Sequence, residues 1–109
     1  MKTEKEMLSE PLANEVRNTI LSKGKEISRI VDKDMAVFSL YRCDDASVVK
    51  EKKPLYAIFA HSAAYVAFNA PQEKITDNGL LVIGWEYDKV VRELAELAVN
   101  YEDQIKGEA

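Results

Sequence analysis

Residues 87–106 restrict the fold more than any other stretch of this chain. Val90, Val91, Leu94, Leu97, Ala98, Tyr101 and Ile105 recur at three- and four-residue spacing, with Lys89, Arg92, Glu93, Glu96, Asn100 and Asp103 between them. That period makes a helix with one apolar side and one charged side. Glu86 and Asp88 stand at its positive end and Lys106 at its negative end, and Gly107 is placed as the C-cap. An isolated helix of this kind is marginal in water, so its stripe must be covered by other elements of the chain.

The cover is expected from strands. Met35-Ala36-Val37-Phe38-Ser39-Leu40-Tyr41 is rich in β-branched and aromatic residues and alternates in part. Asp44-Asp45-Ala46-Ser47 supplies turn chemistry, after which Val48-Val49-Lys50 reads as a short, charged edge strand pairing back. Asp77-Asn78-Gly79 carries the Asn-Gly pair of a type I′ hairpin, joining Lys74-Ile75-Thr76 to Leu80-Leu81-Val82-Ile83-Gly84-Trp85. The second of these is almost continuously apolar and is predicted to be the central strand, covered on both faces.

Ahead of the first strand, residues 1–9 read as a polar, flexible tail. Ser9 then suits an N-cap, with Glu10 and Pro11 in the first turn. Leu12, Val16, Ile20, Ile27 and Val31 follow near one stripe, which predicts a helix of about six turns at 3.6 residues each, with Gly24 as its weak point. The middle segment 54–70 is ambiguous. Leu55, Ile58, Phe59, Ser62, Ala63, Val66 and Ala67 fit a helix started by Pro54, yet Leu55 to Ala60 and Ala64 to Asn69 also read as two strands. Alanine content favours the helix.

With 109 residues there is material for one core and not for two. The expectation is therefore a single α+β domain over 10–107, a two-layer fold in which an antiparallel sheet of about four strands carries an N-terminal and a C-terminal amphipathic helix. A small sheet with free edges and surplus apolar surface predicts a homodimer.

Charge and cysteine usage narrow the function classes. Residues 1–53 hold 11 basic and 10 acidic side chains, whereas residues 54–109 hold 4 and 9. An acidic half repels phosphate backbones, so direct nucleic-acid binding is not expected, and the run Lys50-Glu51-Lys52-Lys53 reads as a solvated loop. The charged N-terminus lacks the apolar core of a secretory signal, and Leu55 to Ala70 is too short and too interrupted for a membrane span. Together with the single Cys43, which has no intramolecular partner, this predicts a reducing, cytoplasmic location without membrane attachment.

No catalytic constellation, metal set or cofactor motif emerges. His61 is the only histidine, so a paired-histidine zinc site cannot be assembled within one chain. As a lone general base His61 would work beside Cys43, Asp44 or Asp45, but no third group completes a triad and the two acids would raise the thiol's pKa. Asp44-Asp45 fits a turn better than a cation loop, and Glu93 with Glu96 fits a salt-bridged helix face. Gly24, Gly79, Gly84 and Gly107 form no phosphate-cradling pattern.

Two functional expectations follow. The first is a small acidic module, such as an adaptor, chaperone or inhibitor, that binds another protein, its acidic half steering it to a basic one, without catalysis and without a cofactor. The second is a small-ligand site or simple enzyme at a dimer interface, in a pocket around His61 lined by Tyr56 or Tyr65 and Trp85. Tyrosines and tryptophan favour half-wet positions, which makes His61, Tyr56, Tyr65, Trp85 and Tyr87 the candidate contact residues under either reading.

Overall fold

A computed structural model describes residues 12–67 and 79–107. Their order is α1 (Leu12–Lys23), β1 (Lys25–Asp32), β2 (Met35–Cys43), β3 (Leu55–Ala60), α2 (Ser62–Ala67), β4 (Gly79–Gly84) and α3 (Tyr87–Gly107). The four strands form one antiparallel sheet in the order β1-β2-β3-β4, an α+β fold with a helix toward each end of the chain.

Five local expectations need correction. The six-turn helix does not form: α1 stops at Lys23, Gly24 donates its N–H to Ile20 O at 2.7 Å, and Lys25 to Asp32 continue as a strand. The β-branched trio Ile27, Ile30 and Val31 prefers that conformation, and pairing with β2 supplies the backbone partners. A Cβ on residue 24 would stand 2.5 Å from Ile20 O and 3.1 Å from Arg42 O, so glycine lets the chain turn close against two backbones.

Val48-Val49-Lys50 is not an edge strand. Val48 lies buried in a turn whose carbonyl accepts the Trp85 indole N–H at 2.8 Å, and Lys50 pairs only with Lys53 across Glu51-Lys52. Segment 54–70 is neither one helix nor two strands, because strand β3 runs to Ala60 and α2 begins at Ser62. Among the described strands β4 is an edge and not the centre; β2 and β3 occupy the middle, and five of the six β3 residues are buried. At the C-terminus α3 continues through Gly107, which is helical rather than a cap beyond the helix. The proposed tail 1–9, the Ser9 cap, and the strand Lys74-Ile75-Thr76 with most of the Asn-Gly turn lie outside the described residues.

Strand alternation divides the core into two clusters. Phe38, Leu40, Ile58 and Ala60 face Val90, Leu94 and Tyr101 of α3 and Ala64 of α2. On the other face Leu55, Ala57, Phe59 and Ile83 meet Val16 and Ile20 of α1, together with Val48 and Trp85. The sheet under α2 and α3 is thus the principal layer pair, while α1 and the 44–53 loop close one end of the opposite face.

The β1–β2 and 50–53 turns share one geometry. Lys33 and Asp34 have φ of 51° and 68°, and Glu51 and Lys52 have 51° and 67°, in two-residue loops closed by the pairs Asp32–Met35 and Lys50–Lys53. Two successive positive-φ residues define the type I′ hairpin turn, here built without glycine.

Candidate functional site

His61 follows β3 directly, and its backbone N–H donates to Val37 O at 2.9 Å, extending the β2–β3 ladder by one rung. Its side chain therefore shares a face with Phe59, and Ser39, which pairs with Phe59, is its diagonal neighbour. Ser39 Oγ lies 2.7 Å from His61 Nε2. Ser39 is fully buried, and His61 is half-buried.

The polar line continues across the sheet. Arg29 pairs with Ser39 and Glu26 with Tyr41, which brings both β1 side chains to the same face. Arg29 donates Nε and Nη2 to Glu26 Oε2 at 3.2 and 3.1 Å, and its Nη2 also lies 2.9 Å from Oε1. Burial pushes the Glu26 carboxyl up, but the Ser39 hydroxyl, then the Arg29 bonds and charge, then the charge of His61 outweigh it and hold the group below the ordinary carboxylate value.

A serine hydroxyl has one proton. A hydroxyl that donates to Glu26 accepts from His61 Nε2–H, which selects one imidazole tautomer. Ser39 is fully buried and links the Glu26 carboxylate to the His61 ring. His61 is the half-buried member of this line, next to the fully buried Ser39.

Among the candidate contact residues whose side chains are described, Tyr56, Trp85 and Tyr87 lie away from His61. Tyr56 lies five residues before His61 on β3, about 16 Å along a strand at 3.3 Å per residue, and points to the opposite face. It meets Tyr87 instead, edge to face with centroids 5.1 Å apart. Trp85 is buried against the α1 cluster, on the face away from Tyr56, with Lys50 Nζ 5.0 Å from its ring. Tyr65 belongs to α2, and its side chain lies outside the described residues. The structure thus separates an aromatic pair at one end of β3 from the His61 line at the other.

Ser39, Glu26 and Arg29 were not singled out by sequence reasoning. Ser39 had a signal, a lone polar residue at an inward position of an apolar strand; Glu26 and Arg29 had none once their segment was read as helix. Asp45 and Glu86 behave as turn and surface groups. Asp45 accepts from Ser47 N at 3.1 Å and from Ser47 Oγ, and lies 3.4 Å from Lys23 Nζ; Lys53 Nζ meets Glu86 Oε1 at 2.6 Å. Burial foremost, with the charges of Asp45 and Asp44 behind it, pushes the Cys43 thiol up. Among the described residues no three His, Cys, Asp or Glu side chains form a metal-sized group, and no helix is long and apolar enough to cross a membrane.

A second concavity lies between β1 and α3, with a volume of 310 Å³. Ile30, Val31 and Asp32 form one wall and Tyr101, Glu102 and Ile105 the other. Tyr101 Oη donates to Asp32 Oδ2 at 2.9 Å across its floor, and burial, then that hydrogen bond and the Asp32 charge, push the phenol up, keeping it a donor.

Comparison of the chain with protein-family models, with curated proteins and with solved structures gives no match, so the roles of these residues rest on geometry alone.

Proposed function

We propose that this chain acts by binding another protein, through the β1–β2 hairpin and the surface beside it. One observation carries the reading. Of the five large apolar side chains exposed among the described residues, three, Ile27, Val31 and Met35, belong to that hairpin, at the outer edge of the sheet. Apolar side chains exposed on one element mark an interaction surface more often than scattered ones do. A cytoplasmic adaptor or inhibitor is the role such a surface suits, with an acidic α3 beside it to attract a basic partner.

The test is a double variant, Ile27→Lys with Met35→Lys, at two exposed positions. In crosslinking and affinity capture from the source cells, the partner recovered with the parent chain should be lost while far-UV circular dichroism stays unchanged. Retention of the same partner overturns the reading.

A second reading is favoured by the Ser39–His61 contact at 2.7 Å: a small-ligand or proton-transfer site centred on His61. Replacing His61 with Ala separates the two. A ligand site loses its ligand-induced rise in melting temperature, and a protein-binding module keeps its partner.

A further inference from the structure

The hairpin's apolar residues continue into the groove between β1 and α3, and the groove has a chemistry of its own. Ile30, Val31 and Ile105 make its walls apolar, Asp32 and Glu102 are its charged residues, and no basic side chain among the described residues lines it. We infer that this groove is a docking site for a partner segment that presents a large apolar side chain next to a lysine or arginine. The inference rests on the protein-binding reading above and names the surface and the partner chemistry.

Three features of the site select this occupant. A volume of 310 Å³ accommodates one large apolar side chain and the stem of a neighbouring one, close to the lower limit for ligand pockets. The Asp32 and Glu102 carboxylates, one on each wall, attract a cation and repel an acidic segment, so charge selects among apolar partners. The third feature is the interruption of β1 by register shifts between Glu26 and Ser28 and between Ile30 and Val31. Bulges of this kind blunt an edge against strand addition. The partner is therefore held by side chains entering the groove and not by a fifth strand, which also disfavours a second copy pairing through its own β1.

The probes are N-acetylated peptides in which one Leu, Phe or Trp is flanked by lysines, the same peptides with glutamates in place of the lysines, and n-butylamine. Titrated into the ¹⁵N-labelled chain, the lysine peptides should shift the amides of residues 30–32 and 98–105, and the glutamate peptides should not. Glu102→Lys and Val31→Lys, both at exposed positions, should each weaken that binding by at least about tenfold, as expected for a like-charge contact. The inference is overturned by equal binding of both peptide sets, by n-butylamine producing the same shifts at the same concentration, or by shifts of groove amides on dilution of the free chain, which would identify a second copy as the occupant. Lysine-peptide binding that maps elsewhere on the surface overturns the groove and leaves the protein-binding reading standing. Loss of hairpin dependence in partner capture would remove that reading itself.

Discussion

Lys33, Asp34, Glu51 and Lys52 occupy the left-handed region, where a side chain costs about 1–2 kcal/mol per residue and glycine costs none. Glycine at the second position of each turn removes that cost and returns about 0.4–1 kcal/mol through the greater freedom of the unfolded chain. Lys52→Gly should therefore stabilise the protein by about 0.5–1 kcal/mol, seen as a raised urea midpoint with an unchanged slope. Asp34→Gly should gain less, because aspartate tolerates this region better than lysine. At Glu26 the effect is pH-dependent. Its carboxyl is held below the ordinary value of 4.5 in the fold, so the unfolded chain binds the proton more tightly. The resulting stabilisation is complete above the ordinary carboxyl range and disappears as pH falls through the lowered folded value. Glu26→Gln should be less stable than the parent at neutral pH, with the gap closing on acidification in urea titrations run at several pH values. A gap independent of pH would show that the Arg29 and Ser39 bonds do not depend on the carboxylate's charge.

Among the elements, α3 and β2 were legible because their patterns are long and their periods unmixed. Tyr87 to Lys106 repeats at helical spacing throughout, and Met35 to Tyr41 combines alternation with β-branched and aromatic side chains. The N-terminal helix was over-extended because Ile20, Ile27 and Val31 happen to continue a helical stripe across Gly24, a coincidence that periodicity cannot separate from a helix. β-branching over 27–31 was the competing signal. Segment 54–70 changes from strand to helix at His61, and a uniformly apolar stretch has no period from which that boundary could be read. The same error concealed the His61 line, since Glu26 and Arg29 reach Ser39 only if 25–32 is a strand. Gly24 is the junction on which this depends. Gly24→Ala places a methyl group against the carbonyls of Ile20 and Arg42, both backbone atoms with little room to yield. Over-packing of this kind costs about 1–3 kcal/mol, measurable as a lowered urea midpoint. A variant as stable as the parent would mean that the turn from α1 into β1 has slack absent from this geometry.

At the scale of the whole molecule, two apolar clusters share a single wall. Leu55, Ala57 and Phe59 of β3 face the α1 side, and Ile58 and Ala60 face the α3 side, all of them fully or almost fully buried. Neither cluster can open without exposing the strand that forms the floor of the other, so the two faces should unfold together despite having different covers. Ile20→Ala empties space on one face and Leu94→Ala on the other, each at a cost of about 2–5 kcal/mol. Because the two sites lie on opposite sides of the sheet and share no cluster, their costs should add to within about 0.5 kcal/mol. Trp85 fluorescence reports the α1 face, and far-UV circular dichroism at helical wavelengths is dominated by α3, the longest described helix. In both single variants these signals should trace one coincident urea transition, the signature of a two-state domain. If Ile20→Ala instead shifted the Trp85 transition to lower urea while the helical signal kept the parent's midpoint, the α1 side would be a separately unfolding layer and β3 would not couple the two cores.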